Sequence, residues 1–424
     1  MSDAATHKAI EAVFRIEAAK IIAGVARIVR DVGVAEELAQ DALVAALETW
    51  PTAGVPDNPA AWLMATAKNR ALDRLRQRKL HAQKEDELTY EIETLLSDAQ
   101  PRLEVGLADD IGDDLLRLVF TACHPVLPTE ARVALTLRLV GGLATDEIAR
   151  AFLVPESTIA QRIVRAKRTL AEARVPFEVP GVAERGERLS SVLEVIYLVF
   201  NEGYSATSGE HWVRPTLCED ALRLGRILAE LAPGEPEVHG LVALMEIQAS
   251  RLSARVGPDG EAILLLDQNR ARWDQLLIRR GLAALARAEA LGGALGPYAL
   301  QAAIAACHAR AISASDTDWR RIAALYDALA TLVPSPVVEL NRAVAVAMAF
   351  GPDEGLAIVD ELVAARTLKD YHLLPSVRGD LLAKLGRSAE ACVEFKRAAD
   401  LTRNERERKL LLARAAACAG GTRQ

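Results

Sequence analysis

Residues 145–170 read TDEIARAFLVPESTIAQRIVRAKRTL. Ile148, Ala149 and Phe152 are spaced for one buried helical face. After a tight turn at Leu153–Val154–Pro155, so are Ile159, Ile163, Ala166 and Leu170. That spacing predicts two amphipathic helices joined by a short turn. Thr145 is placed to cap the first, and Asp146 and Glu147 suit its electropositive end. The second helix would present Glu156, Ser157, Thr158 and Gln161 at its start, and Arg162, Arg165, Lys167 and Arg168 along its outer face. This is a helix-turn-helix pattern, in which the first residues of the second helix reach base edges and the basic ones reach phosphates or bases. An ordinary helical hairpin with a solvated basic face would carry the same apolar spacing.

The rest of the chain points to the same class of structure. Aromatic residues make up only 4% of the 424 residues, and alanine is abundant. This favours helix over sheet. The length predicts two or three domains. The net charge is −7, but its distribution is uneven. KNRALDRLRQRKL (68–80) has six basic side chains and one acidic, whereas residues 85–114 hold eleven acidic side chains and only Arg102. Two basic surfaces joined by a stretch that avoids nucleic acid are expected. The prolines at 51, 56 and 59 punctuate a loop before the helix AAWLMATAKNRALDRLRQRK. One side of that helix carries Trp62, Leu63, Ala67, Leu72 and Leu75, and the other Lys68, Arg70, Arg74 and Arg76. An earlier helix has Val13, Ile16, Ala19, Ala23 and Ala26 near one face. The expected organisation is a helical domain at 1–80, an acidic linker at 81–112, the helix-turn-helix domain at 113–174, a boundary at 175–186 and a helical remainder at 187–424.

No run of 18 uncharged apolar residues is present, and the N-terminus lacks the apolar core of a signal peptide. The five cysteines are far apart, which fits a reducing cytoplasm rather than a disulfide framework. Cys123–His124 and Cys307–His308 are neighbours whose side chains diverge on a helix, so structural roles are expected and no metal site. No nucleophile constellation or phosphate-cradling loop is evident. The chain therefore reads as a non-enzyme with no cofactor.

Beyond these features, VAEELAQDALVAALETW (34–50) resembles the acidic helix by which sigma-70 family factors grip the clamp helices of RNA polymerase. Glu36, Glu37, Gln40 and Asp41 stand at the matching positions. AWLMATAKNRALDRLRQRK (61–79) resembles the helix that recognises and opens the −10 promoter element, with Trp62, Asn69, Arg70, Asp73, Arg74 and Arg76 on its pattern. The helix-turn-helix then resembles the fourth region of these factors, which reads the −35 element and docks on the polymerase flap. Its candidates are Glu156, Ser157, Thr158, Gln161, Arg162, Arg165 and Arg168. The short linker resembles that of the extracytoplasmic-function (ECF) subfamily, which lacks the third region. The resemblance spans roughly residues 8–174. It implies core RNA polymerase and promoter DNA as partners and transcription initiation as the function. The other reading is a helix-turn-helix regulator with a helical ligand- or partner-binding domain, which leaves residues 34–79 unexplained.

The C-terminal half carries small residues 34 apart: Ala323, Ala357 and Ala391; Ala330, Ala364 and Ala398; Ala311, Ala345 and Gly379. A helix–turn–helix repeat needs small residues where its helices touch. The segment at about 304–405 thus resembles tetratricopeptide repeats, whose concave face suits a partner protein or peptide. SVLEVIYLVFNEGYSATSG (191–209) and LLLDQNRARWD (264–274) resemble the extension of a sigma-factor subgroup with such repeats. Asn201, Glu202, Asp267, Gln268, Arg270, Trp273 and Asp274 are the candidate inter-domain cluster, and helix capping or domain packing is the plainer role for them. The resemblance implies that this half regulates the sigma part, as inhibitor or activator. The expected fold is all-α: two small helical domains and a helical repeat domain.

Overall fold

The structure, a computed structural model, describes residues 3–81, 109–152, 154–205, 213–257, 261–292, 295–402 and 404–420. Most of the acidic linker and Leu153 of the predicted turn lie outside the described residues. Among those described the protein is all-α, with eighteen helices and one isolated bridge between Val256 and Ala262. The chain forms two compact units, Met1–Leu198 and Val199–Gln424.

The first unit contains α1 (Asp3–Val29), α2 (Val32–Ala53), α3 (Pro59–His81), α4 (Asp109–Ala122), α5 (Thr129–Leu139), α6 (Thr145–Phe152), α7 (Glu156–Glu172) and most of α8 (Val182–Tyr204). Helix α1 packs on α2, α3 and α4, while α7 packs on α5 and α6. The core includes Ile21, Trp50, Leu63, Leu118, Leu135, Leu137, Ile148 and Ile159. Asp31 separates α1 from α2, where its carboxylate accepts from the Gly33 and Val34 amides and satisfies two donors of the new helix.

Several local expectations shift. Helix α2 continues through Pro51 and stops at Gly54, whose φ of 89° suits glycine. Ile16, expected on the buried stripe of α1, is 70% exposed. Thr145 does not cap α6. Instead Glu147 reaches back and accepts from the Ala144 amide at 2.8 Å. The N-terminal part of α8 belongs to the first unit, because Ser191 donates to the Cys123 carbonyl at 2.6 Å and Arg188 to that of Phe120 at 3.0 Å. Arg132 adds hydrogen bonds to Ser191 and Glu194.

The second unit continues with α9 (Pro215–Leu231), α10 (Pro236–Ala249), α11 (Gln275–Ala290) and α12 (Pro297–Arg310). Helix α10 is central and packs on α9, α11 and α12. Gly240 permits its closest crossing: a Cβ there would meet the Ala299 amide nitrogen at 2.6 Å. Three helical hairpins follow: α13 (Trp319–Leu332) with α14 (Pro336–Phe350), α15 (Pro352–Ala364) with α16 (Leu373–Lys384), and α17 (Ser388–Leu401) with α18 (Glu405–Gly420). Each helix packs on the next.

The small-residue register slips between hairpins. Ala323 and Ala391 are buried, but Ala357 and Ala364 are exposed. Where the middle hairpin meets the first, the contact point is Gly355, where a Cβ would meet Ala347 Cβ of α14 at 2.5 Å. Connections of unequal length carry the helices out of a strict 34-residue phase while keeping the pairwise stacking.

Candidate functional site

Helix α7 turns Ile159, Ile163, Ala166 and Leu170 into the first unit. Geometry then forces the intervening positions outward, so Glu156, Ser157, Gln161, Arg165 and Arg168 are exposed, with Thr158 and Arg162 half-buried. Arg168 Nε lies 2.6 Å from Glu172 Oε1, an exposed pair along the same helix. The remaining outer-face residues form a contiguous polar and basic surface at the helix start. Lys167 departs from it, because its ammonium turns inward to an ion pair with Glu36.

The −10 candidates sit on α3. Trp62 packs edge-on against Trp50 with ring centroids 5.3 Å apart, which fixes the start of the helix. Asn69 and Asp73 are exposed. Arg70 Nη1 lies 3.7 Å from Asp41 Oδ2, and Arg74 Nη1 lies 3.3 Å from Glu37 Oε2. Arg76 Nη1 donates to Asp73 at 3.0 Å. The candidate polymerase-binding acids of α2 thus hold the candidate DNA-binding arginines of α3 across a helix interface. These pairs are at least a third exposed, so they orient side chains more than they stabilise the fold. Lys68, expected among the outward bases, is buried, with its stem near Gly24 on α1.

Glu36 behaves differently from its neighbours. It is 4% exposed and accepts from Arg138 Nε at 2.6 Å and Gln40 Nε2 at 3.0 Å. Arg138 stands on α5, and the same guanidinium donates to the Leu143 carbonyl. Sequence reasoning missed Arg138, because a single arginine in the apolar helix TEARVALTLRL shows no period of its own.

In the second unit the predicted polar cluster divides. Glu202 pairs with Arg214 at 2.6 Å. Asn201 is half-buried and Asp267 exposed. Asp274 caps α11 by accepting from the Leu276 and Leu277 amides. Gln268 is buried and donates to the Ile263 carbonyl. Arg270 ties down the end of α12, donating to the His308 and Ala311 carbonyls and to Thr317 Oγ1.

Arg270 also lies over the Trp273 ring at 4.9 Å, with Arg251 5.8 Å from the same ring and 5.7 Å from that of Tyr204. Arg255 lies 3.8 Å over Tyr204. Three guanidiniums and two rings therefore alternate, each cation facing a negative π-surface. His308 sits beside this stack, edge-on to Trp319. Burial, followed by the charges of Arg251 and Arg270, lowers its pKa to about 4. The stack uses residues that sequence reasoning did not join: Tyr204, Arg251 and Arg255 come from segments with no shared motif.

Cys123 packs its sulfur 3.2 Å from Thr136 Oγ1, and burial pushes its thiol up to about 11. His124 accepts from the Val126 amide at 3.1 Å. Among the described residues no group of three or more His, Cys, Asp or Glu side chains is placed to hold a metal ion, and no helix is long and apolar enough to cross a membrane.

Comparison with known proteins divides the chain into three matched segments. Residues 14–81 match the family described as Sigma-70 region 2, and residues 117–170 match Sigma-70, region 4. Residues 188–289 match a family of unknown function, DUF6596. The chain is 45% identical over 386 residues to an uncharacterized protein of Rhizobium meliloti (strain 1021), covering 90% of this chain and 89% of that protein. It is 33% identical over 150 residues to the ECF RNA polymerase sigma factor SigK of Mycobacterium ulcerans (strain Agy99), covering 34% of this chain and 75% of SigK. It is 25% identical over 181 residues to the probable ECF RNA polymerase sigma factor SigI of Mycobacterium tuberculosis (strain CDC 1551 / Oshkosh), covering 42% of this chain and 60% of SigI. No solved structure matches.

Proposed function

Because the chain belongs to the ECF sigma factors of the sigma-70 family, we propose how its helices divide the work of promoter recognition. Helix α2 docks on the clamp helices of core polymerase through Glu36, Glu37, Gln40 and Asp41. Helix α3 engages the −10 element. Asn69, Arg70, Arg74 and Arg76 contact the strand, Asp73 orients Arg76, and Trp62 anchors the helix start. Opening DNA requires an unstacked base to be held together with its backbone, a task for polar and basic side chains that needs no catalytic group. Helix α7 enters the major groove at the −35 element, while its domain meets the polymerase flap. The protein acts in the cytoplasm, where its polymerase is.

The observation that carries this reading is the face of α7. Four apolar residues are turned inward, and Glu156, Ser157, Gln161 and Arg165 are presented together at the helix start. A single good base contact contributes about 1–3 kcal/mol of discrimination. Run-off transcription with core polymerase, using DNA upstream of the chain's own gene and genomic fragments, tests the proposal. Transcripts that need this protein are expected, and none should appear with the Arg162→Ala/Arg165→Ala double variant. Failure of the wild-type protein both to yield transcripts and to co-elute with core polymerase would remove the sigma reading. It would favour a regulator that binds its operator unaided.

The second unit regulates this activity, and its stacked hairpins form a tetratricopeptide-like surface for a partner protein or peptide. A truncation that tests this must keep α8 to Ser205, since Arg188 and Ser191 brace the first unit. A rise in promoter output after such a cut marks the second unit as inhibitor, and a fall marks it as activator. Unchanged output, basal and induced, rules out both.

A further inference from the structure

In the second unit, Arg251 carries a buried positive charge that no described side chain neutralises. It is 7% exposed, its Nε has no hydrogen-bond partner, and it makes no ion pair among the described residues. Its guanidinium instead lies by the Tyr204 and Trp273 rings, at 5.7 and 5.8 Å from their centroids. A guanidinium keeps its proton at any ordinary pH, so its burial costs free energy that ring faces offset only in part.

Neighbouring charge makes the imbalance larger. Arg270 shares the Trp273 ring with Arg251, and Arg255 shares that of Tyr204. Burial, and then the charge of Arg251, lower the pKa of Arg270, so the two cations repel. The acids of the adjoining segment are turned to other uses. Asp274 caps α11, and Asp316, which faces Arg270, accepts from the Ser313 amide at 3.0 Å and the Ser313 hydroxyl at 2.7 Å. Arg270 Nε and Trp273 Nε1 are further buried donors without a hydrogen-bond partner. Arginine and indole N–H groups can only donate. The group that these donors call for is an acceptor carrying negative charge.

We propose that Arg251, flanked by Arg270 and Trp273, is the centre of an anion-binding site that takes the carboxylate or phosphate group of a small molecule. The planar fork of a guanidinium matches both groups. Burial sets the size of the ligand, since an arginine so enclosed admits a small group and excludes a duplex or the face of a folded partner. The site draws on four segments: the end of α8, the turns after α10, the turn before α11, and α12 through the Arg270 bonds to the His308 and Ala311 carbonyls. Binding there therefore tightens the packing of the second unit. The inference stands apart from the sigma reading, because it is tested without polymerase or DNA.

The test uses the full-length protein in chloride buffer. Thermal unfolding is followed while inorganic phosphate or succinate replaces chloride at constant ionic strength. Either anion also stabilises proteins weakly by exclusion from their surface, but that effect does not saturate. The proposal expects a saturable rise in midpoint of about 2 °C or more at ten times Kd, with one or both anions, and its loss in Arg251→Met. The responding anion identifies the group that the site prefers. A purely structural Arg251 would lower the midpoint on substitution and leave the anion response unchanged. No saturable response to either anion, or an equal response in Arg251→Met, overturns the site. Should Arg251→Met fail to fold, Arg251→Lys keeps the charge and removes the fork. It should weaken the anion response about tenfold, and an unchanged midpoint concentration there also overturns the proposal.

Discussion

Charge is partnered differently around Glu36 in the first unit and around Trp273 in the second. In the first, Glu36 is bound by Arg138, 102 residues away, and by Lys167 on a third helix. All three sit on different helices, α2, α5 and α7. In the second, Arg270 reaches the His308 and Ala311 carbonyls and lies over Trp273, and Arg251 lies by Trp273 and Tyr204. At this stack the cations meet carbonyls and rings, whereas elsewhere in the same unit Glu246, 1% exposed, is held by Arg226 and Arg280 as Glu36 is held in the first. An ion pair can be exchanged for another ion, such as a phosphate or a polymerase side chain. A guanidinium packed between rings and carbonyls has no such substitute. The difference separates a network held by ion pairs from one held by ring faces and carbonyls.

The largest expected effect tests the permanence of the second unit. Trp273 is buried and contacts Arg251 and Arg270, so Trp273→Ala removes a large side chain, the ring under Arg270 and one of the two rings beside Arg251. A loss of about 3–5 kcal/mol is expected by denaturant unfolding. A loss below about 1 kcal/mol would mean that the stack is decoration and the comparison fails.

Next comes His308. Its folded-state pKa is about 4, against an ordinary value of 6.5, because of burial and then the charges of Arg251 and Arg270. On acidification the unfolded chain takes up the proton first. Stability from this group is therefore complete above pH 6.5 and declines as the pH falls towards 4, by about 3 kcal/mol across the window. His308→Phe keeps a ring edge-on to Trp319 and should flatten that part of the pH profile. A profile identical to wild type would show that neither burial nor the stack's positive charge shifts this imidazole.

A smaller effect concerns the first unit's capacity to change partners. Arg165 is exposed on α7 and makes no ion pair among the described residues. Arg165→Ala should leave unfolding unchanged within about 0.5 kcal/mol and weaken −35-dependent transcription by about 1–3 kcal/mol, or about 5- to 150-fold. An equal loss on templates with and without the −35 element would assign Arg165 to phosphate contact rather than base reading.

What the sequence made legible follows from how local each cause is. The helix-turn-helix was readable because Ile159, Ile163, Ala166 and Leu170 repeat with the helix period, and each is buried. The all-α architecture was readable from the same periodicity and from composition. The buried state of Glu36 was not, since in the sequence Glu36 and Glu37 are equivalent acids. A rotation of about 100° on α2 separates a side chain facing α5 and α7 from one facing α3. The arginine–aromatic stack was equally hidden, because Tyr204, Arg251 and Trp273 meet only after four helices have packed. Paired helices were legible in the C-terminal half but a 34-residue register was not, since connection lengths are set by turns that small-residue spacing does not record.

The smallest expected effect asks whether the units differ in local structure at all or only in how their charges are paired. Each contains a helix opened by an aspartate: Asp31 accepts from the Gly33 and Val34 amides, and Asp274 from the Leu276 and Leu277 amides. The two caps make the same bonds, and replacing either by alanine should cost about 0.5–2 kcal/mol. The consequences should diverge. Asp274 starts a helix that packs on the central α10, so Asp274→Ala should lower stability and leave polymerase binding unchanged. Asp31 starts the helix that carries Glu36, one turn before it, and its Oδ1 sits beside Gly33, over which the Lys167 stem packs. Asp31→Ala should therefore lower stability by a similar amount and also loosen the contact with α7. The readout is more frequent opening at that contact, measured as faster amide exchange in α7 than in α11 of the Asp274 variant. Equal exchange in the two variants would mean that the first unit is no readier to open than the second.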